Sequence, residues 1–344
     1  MTTDGDLPTT GWRRVPWAPL LVGCAGVFTV ALAAILLYPA TLPVTKRSSP
    51  PTPAAARTGL VPGLVDASGS AGASRSAGAS KSPSSTKTPT KGVVARPGGR
   101  PGPANTGALP GAALTAIIGD QTYATANQVI ENVDIHGAVR ITGRNVTLRN
   151  AIVRGNGGCG AIVQITGGAT LQDVEVVPEF PAACVDGVLA SGSTLNRVNI
   201  HGVATGVKAG SDTTVADSWV HDLAPVAVDA VRTQGGRNVT LRHNVLTAGA
   251  KANSAYQVTQ EGGASGSLKV DGNWLDGGNC TLNFAARGGG PTPLTGIAVT
   301  DNRFGRNTRF VCPILISTQT VLTTNSGNVF DDTGGPIPAV QQHD

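Results

Sequence analysis

Residues 237–246 read RNVTLRHNVL, and residues 144–153 read RNVTLRNAIV. The first six letters are identical, and both strings set an apolar residue, four others, then a second apolar residue: Leu241/Leu246 and Leu148/Val153. The same spacing recurs at Ile130/Ile135, Leu171/Val176, Leu195/Ile200, Val215/Val220, Val270/Leu275 and Val299/Phe304. A ninth, distorted copy ends at Asn328 to Phe330. The first members advance by 18, 23, 24, 20, 26, 29 and 29 residues. Between the two apolar positions stands a polar residue suited to a tight corner: Asn150, Asp173, Asp217, Asn244, Asn273 and Asn302. Asn and Asp tolerate left-handed backbone angles and bond their own turns.

A second column follows each of these units. The segments CGAIVQITG, CVDGVLASG, ATGVKAGS, VDAVRTQGG, AYQVTQEGG, TLNFAARGG and PILISTQT align on Val163, Val188, Val207, Val231, Val258, Phe284 and Ile316. Alternation around that position has period two and β-branched residues dominate, so these are strands. Repeats of this length built from short strands imply a solenoid, because one coil cannot bury its apolar side alone. Coils stacked about 4.8 Å apart pair each strand with its copy above and below. The expected fold is all-β: a single-stranded right-handed parallel β-helix of about eight or nine coils. The drifting step length excludes the fixed spacing of a leucine-rich repeat.

The cysteines sharpen the register. Cys159 and Cys184 start the aligned strand in adjacent coils, and Cys280 and Cys312 do the same further on. Stacked neighbours lie within reach of a disulfide, so the expected pairs are Cys159–Cys184 and Cys280–Cys312, which imply an oxidising compartment.

The chain has further parts. Residues 17–45 carry no charge, and about 20 apolar residues cross a bilayer core. The expected order is a cytoplasmic N-terminus over 1–16, an uncleaved transmembrane signal-anchor helix over 17–39, and a disordered linker over 40–111. The β-helix follows over 112–334, with a tail over 335–344. The linker is rich in Pro, Ser, Ala and Gly with little to bury. Residues 46–110 hold nine Lys/Arg against one Asp, net +8, and residues 111–344 hold 15 against 18 acids, net −3. The basic balance of the chain thus belongs to the linker, which suits an anionic wall or membrane surface. The acidic domain excludes nucleic acid as a ready partner. The expected location is the cell membrane, crossed once, with the C-terminal domain outside. ALTAIIGDQTYATANQV, from Ala113, is expected to close the first end of the solenoid. The tail looks too polar to close the other, which leaves room there for a partner.

Three stretches, GVKAGSDTTVADSWVHDL, VDAVRTQGGRNVTLRHNVL and LKVDGNWLDGGNCTLNF with GIAVTDNRFG, resemble the pectin-lyase-like right-handed parallel β-helix proteins common in actinobacteria. The resemblance covers roughly residues 112–334 and lies at the level of the fold. It implies a working surface on a sheet face and a polysaccharide or cell-wall glycan as partner.

Side chains next to the central apolar column point outward. That outward column reads Arg140, Gln164, Leu189, Lys208, Arg232, Thr259, Ala285 and Ser317; Gln234, Glu261 and Arg287 extend it, and Gln257 belongs to the same face. Like charges at Lys208 and Arg232 on adjacent coils call for compensation, from Asp186, from Asp229 or from an anionic ligand. A polar row of regular rise suits an extended glycan. The resemblance also implies a lyase alternative: β-elimination from a uronate needs a base and a cation. Lys208 or Arg232 would then be the catalytic base, and Asp186 and Asp229 would hold Ca²⁺. The arginine pattern R-x-P-x-x-R of pectate lyases is absent, as are the N-T-D, G-H-G and R-I-K patterns of galacturonan hydrolases. His136, His201, His221 and His243 fall at bends without metal-ligand spacing.

Overall fold

The computed structural model describes residues 98–225, 228–284 and 293–343. The expected anchor helix and most of the linker lie outside the described residues, and no described helix is long and apolar enough to cross a membrane. The described chain is a parallel β-solenoid of about eight turns, with every paired strand parallel to its neighbour in the next coil. One sheet has sixteen strands and the other ten.

Each turn has three faces. The quoted repeat builds the first two. In the early coils these are one strand bent in the middle: Val129–His136, Val146–Val153 and Ala169–Val176. From the next coil onward the bend breaks the strand in two, as in Thr194–Asn196 followed by Asn199–Ile200. The third face is the ten-stranded sheet, which runs from Gln121–Tyr123 through Thr205–Ala209 to Gln341–Gln342.

All eight apolar pairs stack as the spacing requires. Leu148 lies on Leu171, Leu195 on Val215 and Val270 on Val299; Val153 lies on Val176 and Leu275 on Phe304. The distorted ninth copy keeps only its second member, with Phe330 on Phe304 and Asn325 beneath Val299. These side chains form one continuous core.

The bend occupies one place in every coil, the third residue of the repeat. Asn132, Asn150, Asp173, Arg197, Asp217, His243 and Asp301 have φ between 46° and 58° there, and Gly272 and Gly327 complete the column. The preceding corner is also left-handed, at Asn127, Asn145, Asp212, Asn238 and Ser267. Asn145 and Asn150 therefore bracket one straight run, as Asn238 and His243 do. The string RNVTLR is the strand between two corners. The expected corner residues Asn244, Asn273 and Asn302 stand one place later and face inward. Their amide nitrogens donate to the carbonyls of Val215, Leu241 and Val270, each at 2.9 Å. Each also donates to the next side-chain oxygen, Asn244 to Asn273, Asn273 to Asn302 and Asn302 to Asn328. This buried ladder satisfies carbonyls that the corner takes out of the sheet.

On the third face the sheet turns inward at two successive residues, so one of them must be small. A side chain at Gly206 would come 2.4 Å from the Val220 side chain and from the Ala230 carbonyl.

Both expected disulfides are present, with Cα atoms 4.9 Å apart at Cys159–Cys184 and 4.7 Å at Cys280–Cys312. Strands Thr115–Ile118 and Gln121–Tyr123 form the first rung, as expected. The tail differs from expectation. Its Gln341–Gln342 strand pairs with Ile314–Ile316, and Ile337 and Val340 pack on the core. Two apolar side chains among polar neighbours suffice, because the closing rung needs only one covered side.

Residues 98–111, placed by the sequence at the linker's end, lie along the second face as a strap. Arg100 pairs with Asp331 at 2.9 Å and sits over the Trp274 ring. Further on, the Gly107 amide donates to the Arg197 carbonyl and the Leu109 amide to Asn150 Oδ1. The strap thus runs from the last coil back to the coil of Asn150, against the direction of coil growth.

The ladder makes a stability prediction. Asn273→Ala leaves the Leu241 carbonyl and the Asn244 amide without partners in the core, and should cost about 2–4 kcal/mol. Urea unfolding followed by far-ultraviolet circular dichroism would measure it. A loss below about 1 kcal/mol would mean that the ladder is dispensable.

Candidate functional site

The outward row of the ten-stranded sheet is set by backbone pairing alone. Arg140 stands beside Gln164, Gln164 beside Leu189, Leu189 beside Lys208 and Lys208 beside Arg232. Up to this rung the register is the one the sequence implies. The next rung differs by two residues. Arg232 pairs with Gln257, and Val231 with Tyr256, so Thr259 falls beside Gln234 instead. The row then passes through Asn283 and Leu315 to Gln341, in place of Ala285 and Ser317. Arg287, with Ala285, lies outside the described residues.

The slip has a cause in the core. Aligning VRTQGG with VTQEGG places the glycine turns together, but the turn after Thr259 is longer. Tyr256 takes the interior position, fully buried, and its hydroxyl meets Thr233 Oγ1 at 3.1 Å. The aromatic ring needs that partner for its hydroxyl. Ser265 Oγ then closes the longer turn by donating to the Thr259 carbonyl and accepting from Gly235 and Gly236.

The two adjacent cations are compensated by acids, as expected. Lys208 Nζ lies 2.5 Å from Asp186 Oδ2. Arg232 donates to Glu261 Oε2 at 3.2 Å and lies 3.9 Å from Asp229. Gln234 donates to the same Glu261 oxygen at 2.5 Å. The orientation of the Gln257 amide that suits its neighbours sets its nitrogen 3.1 and 3.2 Å from the Asp229 oxygens. Further up the row, Arg140 donates to Gln164 Oε1 at 3.1 Å.

The structure therefore gathers Asp229, Arg232, Gln234, Gln257 and Glu261 into one patch. Lys208 with Asp186, and Arg140 with Gln164, form separate pairs, and half-buried Leu189 divides them. Asp186 and Asp229 do not meet: Thr205 stands between them in the stack, which sets them two rungs apart, about 9.6 Å. Among the described residues no three His, Cys, Asp or Glu side chains are placed to hold a metal ion.

Comparison with protein-family models, with curated proteins and with solved structures finds no match. The site is therefore read from its own geometry.

Asp229 is the unusual group. It is wholly buried, and loss of water pushes its carboxyl up to about 7, against the opposing pull of Arg232 and the Ser254 amide. The histidines behave as corner residues. His243 holds Asp217 at 2.7 Å, His201 holds Glu175 at 3.1 Å, and His136 holds Glu179 at 3.3 Å. His221 stacks on Trp219 and bonds Asn199 and Asp222. Trp219 lies in the outward column of the second face, where no repeated residue type marks it in the sequence.

A carboxyl raised in the folded state is protonated there while the unfolded chain has already ionised. Between the ordinary carboxylate range and about pH 7 the folded state holds the extra proton. Stability should therefore fall as pH rises through that window, and stay level above it. Asp229→Asn removes the effect. The variant should match the parent near pH 4 and exceed it by a few kcal/mol near pH 8. Thermal unfolding at both pH values checks this, and a difference independent of pH would show that Asp229 titrates normally.

Proposed function

We propose that the chain is a membrane-anchored, cell-surface β-solenoid that binds extended extracellular or cell-wall polysaccharide along the outward row of its ten-stranded sheet, without catalysis. The observation that carries this reading is the row itself: Arg140, Gln164, Lys208 and Arg232 stand on successive rungs, interrupted only by Leu189, and buried Gln257 supports Arg232 from the next rung. A rise of about 4.8 Å per rung brings a polar side chain to a linear glycan close to once per sugar. Ion pairs fix Lys208 and Arg232 and a hydrogen bond joins Arg140 to Gln164, which lowers the cost of ordering them on binding. The two disulfides accord with an extracellular site. The apolar stretch at 17–39 and the basic linker supply the anchor and its reach.

One observation favours the second reading, a polysaccharide lyase acting on uronate-containing glycans by β-elimination. Asp229 beside Arg232 is a carboxyl that titrates near neutrality, as acid–base groups do. Against it, Lys208 is held by Asp186 and Arg232 by Glu261, so each candidate base is already engaged as a cation.

Retention of the intact chain on polysaccharide-coated resin tests the binding reading. Arg140→Ala and Gln164→Ala together should weaken retention by about tenfold, the worth of one or two hydrogen bonds. Incubation with uronate polymers and Ca²⁺ tests the lyase. Ultraviolet absorbance from unsaturated ends, lost in Lys208→Ala or Arg232→Ala, would replace the first reading by the second.

A further inference from the structure

The turn Arg154–Gly160, RGNGGCG, is held more firmly than its glycine content suggests. Cys159 is bonded to Cys184, the Gly160 amide donates to the Cys184 carbonyl, and the Glu179 amide donates to the Arg154 carbonyl. These links fix the loop 177–184 over the turn. Phe180 of that loop lies on Gly157, where an added Cβ would come 3.3 Å from the ring. Yet Phe180 is 63% exposed. An aromatic ring fixed in place and left in water presents a flat apolar face to a ligand.

Beside the ring is a cavity of about 80 Å³. Ala138, Ile162 and Val185 give it apolar walls, while Asn156 and the peptide groups of the glycine turn give it polar ones. Arg154 is not available to a ligand, since Asp134 holds its guanidinium at 2.7 and 2.9 Å. The cavity opens beside the outward row: Ala138 precedes Arg140 by two residues, and Ile162 precedes Gln164 by two.

We propose that this cavity takes the acetamido group of an N-acetylated amino sugar, whose ring stacks on Phe180. The inference rests on the glycan reading above and names the sugar class. At roughly 10–15 Å³ of such space per water, the cavity has room for on the order of five to eight water-sized groups, enough for an acetamide. The apolar walls receive the methyl. The peptide groups and Asn156 receive the amide N–H and carbonyl, which would otherwise be buried unpaired. The exposed ring receives the C–H face of the pyranose, leaving its hydroxyls to water and to Arg140 and Gln164.

Calorimetric titration of the intact chain, kept in detergent for its apolar N-terminal stretch, tests this with two probes. One is the tetramer of β-1,4-linked N-acetylglucosamine, and the other is cellotetraose, which has the same linkage without acetamido groups. The acetylated tetramer should bind at least about tenfold more tightly. Phe180→Ala should weaken it by about tenfold, as should Ala161→Leu, which fills the cavity, both with unchanged melting. Equal binding of the two tetramers, unaffected by Phe180→Ala, overturns the inference while the glycan reading stands. Binding of neither tetramer, with retention on polysaccharide resin, also overturns it. Absence of binding to any glycan overturns both.

Discussion

A chain that lies on itself coil after coil must turn at the same places in every coil. Here the requirement is met by two left-handed corners five residues apart. Asn145 and Asn150 show it in one coil and Asn238 and His243 in another. Because the corner spacing is fixed, the run between corners always presents its apolar residues to the core, and parallel pairing follows without further instruction. Loops elsewhere in the coil can lengthen freely, which is why the period drifts while the register does not. Left-handed geometry at non-glycine residues is unfavourable, and the corners offset it by bonding to one another. Arg197 grips Asp173 through two bonds, at 2.8 and 2.9 Å, and His243 holds Asp217.

This dependence explains what could be read from the sequence. The apolar pairs, the strands of the third face and both disulfides were legible, because each repeats a residue type at a stacked position. The polar row was legible down to Arg232 for the same reason. It failed at the next rung because two signals conflicted there. The glycine pair at Gly262 and Gly263 favours one alignment, and the buried hydroxyl of Tyr256 enforces another. A shift of two keeps the alternation, so inside and outside remain correct while the neighbours change. Asn244, Asn273 and Asn302 were misplaced by one residue, since Asn suits a left-handed bend as well as a buried ladder. The strap could not be read at all. GRPGPANTG has the composition of a linker, and its contacts with Asp331, Trp274 and Arg197 show where it lies.

The polar surface is shaped by the same stacking. Parallel rungs put like side chains over like, which would leave Lys208 against Arg232. The sequence answers with acids from different positions: Asp186 one rung back, Asp229 on the same strand, and Glu261 one rung on. The patch is consequently crossed by ion pairs that link coils. Arg232 lies between a buried carboxyl, Asp229, and an exposed carboxylate, Glu261, which it holds by a hydrogen bond.

The strap gives the solenoid a direction. Arg100 lies at the last coils, beside Asp331, and the strap returns from there to the coil of Asn150 before the first rung begins. The glycine turn and Phe180 stand in the early coils, at the opposite end of the stack from that junction. A ligand chain laid along the outward row would therefore pass the Arg232 patch toward the end where Arg100 sits and meet Phe180 toward the other. The basic balance of the preceding segment and the net acidity of the domain oppose each other in sign. Along the row Lys208 and Arg232 are already paired with acids, so a neutral or weakly charged polymer is the class that stacking and hydrogen bonding, not charge, would select.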